Sequence, residues 1–305
     1  TTVNALYAQD AWKFAPDWTL TAGLRYEDFK SYDGYTFATG ATPVSYAGRH
    51  LTANSPKASL AWAVKEDTLL KVSLGRGVRF PNVDELFNGS KSGTSITQND
   101  PNLRPERSTA LELSAEKFWS KHTLRASVFQ DDVHDAILRQ TNTTVSPSIT
   151  NVSNVDRVLT QGLEIVWQSR DVGIKGLDVS GSATWAKSIV KENSVLPASA
   201  GKRWLRIPPQ RYTVQTSYRP NEQLTLSGAW RWAGRNFNDQ LNTDINPETY
   251  GGVSRVNQQD VRAVWHVAKT WDLAFGIENL TNDKAHQAHS LPQRSFQTEL
   301  KYSLK

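Results

Sequence analysis

The sequence contains no cysteine and no methionine among its 305 residues. Without cysteine it can form neither a disulfide framework nor a thiolate metal site. No stretch approaches the ~18 consecutive apolar residues that a membrane-spanning helix needs. The mean hydropathy of −0.53 agrees with this and excludes a bundle of membrane helices. Residue 1 is Thr1 and no signal segment precedes it, so we interpret the chain as a mature protein or a fragment.

Positive charge is in modest excess but is not concentrated. The formal net charge is +5 and the isoelectric point is about 9.3. Lysine and arginine occur singly among acidic residues, whereas a nucleic-acid-binding protein usually groups them. The pattern indicates a solvated face or a water-filled lumen, and we expect no nucleic-acid partner.

Aromatic residues are abundant, with 11 Trp, 9 Tyr and 10 Phe. Trp and Tyr favour membrane interfaces, where the ring is apolar and the N–H or O–H group stays hydrated. A secreted, Trp-rich carbohydrate-binding protein would have a similar composition, so composition alone leaves both classes open. The polar average does not exclude the membrane, because a barrel strand shows lipid only at every second residue.

Period-two alternation is the dominant pattern. From Trp18 to Tyr26, and again from Phe296 to Leu304, apolar residues occupy every second position. Aromatic residues sit near the ends of many apolar stripes, which indicates two aromatic girdles around an apolar band. We predict thirteen strands, at 5–14, 18–28, 55–64, 68–78, 108–118, 123–133, 157–168, 177–187, 210–219, 224–233, 254–267, 271–279 and 294–304.

The connections between these strands alternate in length. Short turns of a few residues, such as Ala15–Asp17, alternate with long connections. The long connections span 29–54, 79–107, 134–156, 188–209, 234–253 and 280–293. Short turns on one rim and long loops on the other are typical of an outer-membrane barrel with periplasmic turns, and a soluble sandwich has no reason to segregate its loops in this way.

Strand parity leads to a separate expectation. An antiparallel barrel has an even number of strands in bacterial single chains, and thirteen is odd. The first and last predicted strands both run toward the short-turn rim. We therefore expect N-terminal strands to be missing, and we expect the fragment not to fold alone, since lipid does not tolerate unpaired strand edges.

Four segments carry family-like motifs: 75–87, 99–106, 161–164 and 279–294. Their order and spacing resemble those of TonB-dependent outer-membrane receptors over essentially all of residues 1–305. The motif residues are Arg76, Arg79, Pro81, Glu85, Leu86, Phe87, Pro101, Pro105, Glu106, Gly162, Glu164, Asn279, Pro292 and Arg294. Pro81 and Pro105 remove backbone donors and end strands, which favours a structural role for these motifs. Glu85 and Glu106 can pair with Arg79 or Arg104.

The resemblance implies an all-β fold, an antiparallel transmembrane β-barrel of which residues 1–305 are the C-terminal thirteen of twenty-two strands. It also implies a plug domain and a TonB box, neither of which is in this sequence. Members of the family bind ferric siderophores, haem, cobalamin or other scarce ligands. The implied partners are such a ligand, the TonB complex and outer-membrane lipid, in a Gram-negative bacterium.

Candidate ligand contacts lie on the long loops, and they are Arg203, Trp204, Arg206, Arg235, Phe237 and Tyr250. Arginine and aromatic side chains suit anionic, catechol-bearing or ring-containing ligands through bidentate pairing and stacking. Packing of the loops on one another and on the plug is an equally natural role. Both interpretations remain open.

The sequence gives no convincing catalytic site, metal site or cofactor. The six histidines, His50, His122, His134, His266, His286 and His289, have no fixed Ser or Asp partner at a telling spacing. The charged group Asp131-Asp132 with His134-Asp135 is interpreted as solvated loop. His286 and His289 could share a metal only on a helical turn or with further ligands.

The leading functional hypothesis is TonB-dependent import of a scarce nutrient, with a ferric siderophore as the expected ligand. A cobalamin or haem receptor of the same fold is one alternative. A passive porin or diffusion channel is another, and it would lack a plug and a TonB box. A soluble carbohydrate-binding sandwich and an outer-membrane enzyme are the remaining alternatives, although an enzyme would need a convergent acid–base pair.

Overall fold

The computed structural model describes residues 1–37, 42–142 and 145–304, and almost all of the regular structure is β. In the first half, the elements are β1 (Thr2–Ala15), β2 (Trp18–Ser31), β3 (Gly34–Thr36), β4 (Val44–Tyr46), β5 (Arg49–Lys65), β6 (Thr68–Arg79), α1 (Val83–Phe87), β7 (Ser90–Ser92), β8 (Ser95–Gln98), β9 (Glu106–Trp119) and β10 (His122–Asn142). In the second half, they are β11 (Ser148–Ser169), β12 (Leu177–Glu192), the 3-10 turn η1 (Pro197–Ser199), β13 (Gln210–Asn221), β14 (Leu224–Ala233), β15 (Val256–Ala268), β16 (Trp271–Glu278), β17 (His286–Gln287), β18 (His289–Ser290) and β19 (Ser295–Tyr302).

No helix in the described part of the chain is long and apolar enough to cross a membrane.

Thirteen long strands form one sheet in the order β1-β2-β5-β6-β9-β10-β11-β12-β13-β14-β15-β16-β19. Each pairs antiparallel with its neighbour in the order, which confirms the predicted strand number. The predicted alternation of short and long connections is also found, except between β10 and β11. The predicted short turns, such as Pro16 and Asp17 between β1 and β2, lie at one end of the sheet, called the short-turn end below, and the other end is called the long-loop end. β1 and β19 occupy the two ends of the order and run in the same direction.

One predicted loop is wrong. The sequence pattern predicts a long connection at 134–156, but β10 continues to Asn142 and β11 begins at Ser148. The pairing runs without a break in register from His134 opposite Arg157 to Asn142 opposite Ile149. Beyond the apolar band neither face of a strand has to be apolar, so the strands continue where the alternation pattern ends. The tip is further supported by β8, which pairs parallel with β11.

The two faces of the sheet separate by polarity. One face carries a row of directly opposed apolar residues on consecutive strands: Trp12, Leu20, Leu60, Val72, Leu113, Val128, Leu163 and Trp185. Several of these side chains are strongly exposed, Leu113 to 55%. The opposite face carries Lys71, Ser114, Ser127, Glu164 and Thr184 in a matching row. This arrangement suits lipid on the apolar outer face and water or protein on the polar inner face.

Aromatic clusters mark both ends of the apolar face. At the short-turn end the rings of Trp18 and Trp62 stack with centroids 5.0 Å apart, and those of Trp271 and Tyr302 lie 4.7 Å apart. At the long-loop end Tyr212 packs on Trp185 at 5.7 Å and on Trp232 at 5.1 Å. These positions fit the two girdles expected from the sequence, where amphipathic rings meet the membrane interfaces.

The motif residue Gly162 lies at a closely packed point of the inner face. A Cβ atom added there would lie 2.5 Å from the backbone oxygen of Trp185 and would also clash with the ring of Phe129. Because the carbonyl belongs to the β11–β12 ladder, it cannot move without disturbing the pairing of these strands. Glycine is therefore required by close approach rather than by an unusual φ angle.

Gly162→Ala should destabilise the intact protein by about 1–3 kcal/mol, the usual cost of forcing extra volume into a packed site. We expect a lower urea midpoint and a smaller heat-modifiable fraction on unboiled gels. Gly77→Ala is the matched control, since Gly77 is also a strand glycine but an added Cβ there would have nothing within 4 Å. Equal effects of the two substitutions would contradict the steric argument.

The isolated 305-residue chain should not form a closed, heat-modifiable monomer in detergent. Its end strands β1 and β19 run in the same direction, so they cannot close an antiparallel barrel. An unpaired backbone group in lipid costs several kcal/mol, and a whole strand edge multiplies that cost. Gel mobility with and without boiling measures closure, and analytical ultracentrifugation measures the oligomeric state. A closed outer-membrane barrel serves as the positive control. A monodisperse, heat-modifiable monomer would refute it.

Candidate functional site: the long-loop mouth

A compact apolar cluster anchors α1 at the long-loop end. Phe29, Leu86, Leu103 and Val152 are its buried members, and Phe80 stacks on Phe29 with centroids 5.0 Å apart. Phe29 lies on the inner face of β2. The connection between β6 and β9, which carries parts of the first two motif segments, is therefore folded against the inner side of the strands.

The cap of α1 explains several motif residues. The Asn82 side chain accepts from the backbone N–H of Glu85 at 2.9 Å, and the Glu85 carboxylate accepts from the Asn82 N–H at 2.9 Å. This reciprocal box satisfies donors that a helix end leaves free. Arg79 donates to Glu85 at 3.0 Å and lies 3.6 Å from Glu106, so a single guanidinium joins strand, helix and the next strand.

Arg104 pairs with neither Glu85 nor Glu106, the two partners suggested by the sequence. It pairs with Asp135 at 2.6 Å and with Asp156 at 3.1 Å. Asn154 clamps the same backbone, because its amide nitrogen donates to the carbonyls of Arg104 at 3.0 Å and Asp135 at 2.7 Å, while its oxygen accepts from the Arg104 N–H. Arg49 donates to the carbonyl of the motif residue Pro101 at 2.7 Å.

The last motif residues close the connection between β16 and β19. Asn279 is almost fully buried and adopts a φ of 51°, a left-handed conformation that asparagine tolerates better than most residues. Its amide donates to the carbonyls of Asp283 at 2.9 Å and Pro292 at 3.2 Å. The backbone N–H of Arg294 donates to Asn282 at 3.0 Å. These contacts hold the loop in a fixed shape.

A second apolar cluster holds the 193–209 connection over the inner face. Val155, Val158 and Val190 are buried there, and Trp204 packs against them. Val158 is directly opposite Val190 and lies on the same face as Glu164. The ring of Trp204, a candidate ligand contact, is therefore half-buried against this cluster, and only the remainder is accessible to a ligand.

Hydrogen bonds join three successive connections into one platform. The backbone N–H of Arg203 donates to Asn242 at 2.7 Å, and Nε of Arg206 donates to Asn238 at 2.8 Å. The 234–255 connection in turn meets the β17–β18 hairpin, where Gly251 donates to the carbonyl of Ala288 at 2.6 Å. Each loop is thus positioned by its neighbour.

The six candidate ligand contacts are not all gathered in one place. A cavity of about 410 Å³ is lined by Trp204 and Arg206. Arg203, Arg235, Phe237 and Tyr250 lie outside its lining. The Arg235 guanidinium is 5.4 Å from the centre of the Phe237 ring, a cation–π contact, and Tyr250 is 79% exposed beside His289.

Sequence reasoning missed three charged residues of this cavity, Arg139, Asp239 and Asp244. Arg139 falls in a predicted loop but lies near the tip of β10. Asp239 organises its own loop, because its carboxylate accepts the backbone N–H groups of Leu241, Thr243 and Asp244 at 2.8–2.9 Å. Asp followed by a Thr/Asn-rich turn is a recognised signal for such local bonding.

The pKa values of the Asp239 and Asp244 carboxyl groups are shifted in opposite directions. Burial raises the pKa of the Asp244 carboxyl, and the neighbouring Asp239 raises it further. Burial also acts to raise the pKa of Asp239, but the hydrogen bonds it accepts outweigh this and hold it below its usual range. Asp239 is thus the member of the pair that ionises at the lower pH, and it lies beside the cations of the cavity.

The structure does not bring the histidine pair together as a metal site. His286 is opposite Ser290, whereas His289 is opposite Gln287, so the two rings lie on opposite faces of the hairpin. No group of three or more His, Cys, Asp or Glu side chains in the described ranges is placed to hold a metal ion. In the charged group Asp131-Asp132 with His134-Asp135, the carboxylate of Asp132 accepts two hydrogen bonds from Arg157, at 2.9 and 2.7 Å.

Comparison with known proteins identifies the fold. The family model described as "TonB dependent receptor-like, beta-barrel" matches residues 1–280. The chain belongs to the TonB-dependent receptor family. Within it, the chain is 22% identical over 306 aligned residues to the probable TonB-dependent siderophore receptor PiuA of Acinetobacter baumannii, covering 94% of this chain and 38% of that protein. It is 20% identical to the ferrienterobactin receptor of Escherichia coli K12, covering 94% and 37%.

Solved structures share the fold of this chain. The PiuA structure matches with a TM-score of 0.77 at 18% identity, over 98% of this chain and 43% of that one. The copper transporter OprC matches with a TM-score of 0.77 at 18% identity, over 99% and 48%. The chain thus spans less than half the length of the relatives it matches.

Asp239→Ala should loosen the 234–253 loop of the receptor without unfolding the barrel. Each lost hydrogen bond is worth about 1 kcal/mol, so amide exchange at Leu241, Thr243 and Asp244 should accelerate by roughly tenfold or more. Hydrogen-exchange mass spectrometry on the intact receptor measures this. Glu248→Ala, an exposed carboxylate in the same loop, is the control and should leave the exchange rates unchanged. Identical exchange in the two variants would show that Asp239 does not organise the loop.

Proposed function

We propose that this chain is the C-terminal part, residues 1–305, of the barrel of an outer-membrane receptor that imports a ferric siderophore with energy from the TonB complex. Membership of the receptor family supports the mechanism, and the names of two relatives, a probable siderophore receptor and a ferrienterobactin receptor, support the ligand class. The short-turn end then faces the periplasm and the mouth faces the outside of a Gram-negative cell. The plug and the contact with TonB are assigned to parts of the full-length receptor outside this chain.

The observation that carries the ligand class is the composition of the mouth cavity. Arg206 and Arg139, whose guanidinium also pairs with Asp84, provide cationic groups for an anionic chelate, and Trp204 provides an aromatic surface beside them. Guanidinium groups pair with carboxylate or catecholate oxygens and also stack on rings. Because interlocked loops position Trp204 and Arg206, and strand β10 positions Arg139, the site is preorganised. Preorganisation reduces the entropic cost of binding.

The uptake experiment below also distinguishes ligands other than a siderophore. Relatives of this fold include a protein named as a copper transporter, so the barrel alone does not fix the ligand. Haem and cobalamin receptors share the proposed mechanism. A passive diffusion channel differs from all of these because its transport would not depend on TonB.

The proposed import is tested with the full-length receptor in a receptor-deleted, iron-starved strain. We expect uptake of at least one labelled ferric siderophore from a panel, and we expect that uptake to stop when TonB is removed. Uptake of labelled cobalamin or haem instead would keep the mechanism and change the cargo. Uptake that is indifferent to TonB would contradict the proposal and indicate a diffusion channel.

Arg206→Gln should weaken binding of the imported siderophore by about tenfold or more, because a hydrogen bond to a charged group is worth about 1.5–3 kcal/mol. The concentration for half-maximal uptake and direct binding to purified receptor both measure this. Arg255→Gln is the control, since Arg255 is an exposed cation of the neighbouring connection that does not line the cavity. Equal loss in both variants would point to a general charge effect rather than a site at Arg206.

A further inference from the structure

The charged residues that line the mouth cavity are balanced in sign. Arg139 and Arg206 contribute positive groups, whereas Asp239 and Asp244 contribute carboxyl groups. The rest of the lining carries no formal charge, and the ring of Trp204 makes part of it apolar. The cavity as a whole therefore offers little attraction to an anion with several charges, although the chain has a net charge of +5.

The positive groups of the cavity are partly engaged within the chain. The Arg139 guanidinium pairs with Asp84 of α1, so an acidic partner already offsets its charge. Nε of Arg206 donates to Asn238 at 2.8 Å, which leaves the terminal nitrogens of Arg206 as the main positive donors toward a ligand. A single guanidinium of this kind cannot neutralise a complex that carries several negative charges.

The carboxyl groups of the cavity have no cationic partner in the part of the chain that the structure describes. Arg235 donates to the backbone carbonyl of Asp244 and not to its carboxylate. Burial opposes ionisation of Asp239, but the hydrogen bonds that it accepts hold its pKa below the usual range, so this carboxylate is charged at neutral pH. One carboxyl oxygen of Asp244 is enclosed without a hydrogen-bond donor among the described residues. Negative charge on this side of the cavity is therefore not cancelled.

This uncancelled charge repels anions. Partial burial lowers the effective dielectric constant, so like charges repel more strongly in the cavity than in water. Asp239 cannot swing away from an incoming anion, because the backbone N–H groups of Thr243 and Asp244 hold its carboxylate at 2.9 and 2.8 Å. Binding sites gain specificity from elements that disfavour the wrong ligand as well as from those that attract the right one.

The net charge of a ferric complex depends on its iron-binding groups. Three catecholates bring six negative charges to Fe³⁺ and leave a trianion, whereas three hydroxamates bring three and leave a neutral complex. In this cavity a trianion would meet the guanidinium of Arg206 but also the carboxyl groups of Asp239 and Asp244. A neutral or singly charged complex would offer its oxygens to the same guanidinium and its apolar face to Trp204, without the repulsion.

We propose that the mouth cavity selects a ferric siderophore complex of low net charge, such as a tris-hydroxamate, over a trianionic tris-catecholate. Asp239 and Asp244 are the residues that reject the trianion, and Arg206 and Trp204 hold the favoured complex. This inference rests on the proposed function and narrows its ligand class. It involves no covalent step.

The test measures direct binding of ferric complexes to the purified full-length receptor. The probes are a panel of neutral ferric tris-hydroxamates and a panel of trianionic ferric tris-catecholates, each built on more than one backbone. We expect the tightest binder to be a tris-hydroxamate, with every tris-catecholate at least about tenfold weaker because of the repulsion. Added salt should reduce this difference, since salt screens interactions between charges.

Asp244→Asn should strengthen tris-catecholate binding by about fivefold to tenfold and change tris-hydroxamate binding by less than about twofold, because it removes one repelling charge. Asparagine keeps an oxygen that can accept the Asn238 N–H, so the loop should stay folded. Asp84→Asn is a second variant on a different element, and it should act in the same direction by releasing Arg139. Glu248→Gln is the matched control, since Glu248 is an exposed carboxylate of the same connection that does not line the cavity.

Three results would overturn the inference: a tris-catecholate as the tightest binder, an unchanged preference in both aspartate variants, or an equal gain of tris-catecholate binding in Glu248→Gln. Uptake of the same complexes is recorded with and without TonB. TonB-dependent uptake that favours a tris-catecholate would overturn this inference alone. Absent uptake of every complex, with the charge preference intact in binding, would overturn the proposed import and leave the selectivity of the cavity standing.

Discussion

The backbone hydrogen-bond ladder between neighbouring strands is the constraint on which the rest of this structure depends. A strand exposed to lipid has no water to satisfy its N–H and C=O groups, so each must pair with the next strand. Among the thirteen long strands the pairing is antiparallel and runs in chain order. Once that ladder exists, side chains are forced to alternate between an outer and an inner face, and the row from Trp12 to Trp185 follows from it.

The described wall has no apolar core of the kind that a soluble protein has. The buried apolar clusters lie at the long-loop end instead. The buried clusters around Leu86 and around Val155 lie where connections fold back over the inner face. Polar clamps such as Asn154 and Asn279 then fix the loops, since buried amides that bond backbone groups are costly to disrupt. A rigid wall with a loop-built mouth suits a receptor, because the wall meets lipid while the loops can vary for different ligands.

The number of strands, their order and their faces could be predicted from the sequence, because period two is imposed by the wall itself. The motif segments also predicted the family. The extent of β10 and β11 could not be predicted, since the apolar signal stops at the band while hydrogen bonding continues. Arg139 and Asp239 could not be predicted as cavity residues for a related reason. Contacts between different loops leave no periodic pattern in the sequence.

The sequence by itself determined the barrel wall, because alternation, short turns and aromatic strand ends are local consequences of standing in a membrane. Only the tertiary structure decided what the loops hold together. It placed Trp204 in packing, put His286 and His289 on opposite faces of a hairpin, and set Arg107, His134 and Arg157 side by side on three strands. Register between strands far apart in the chain makes those contacts, and register is a property of the whole sheet.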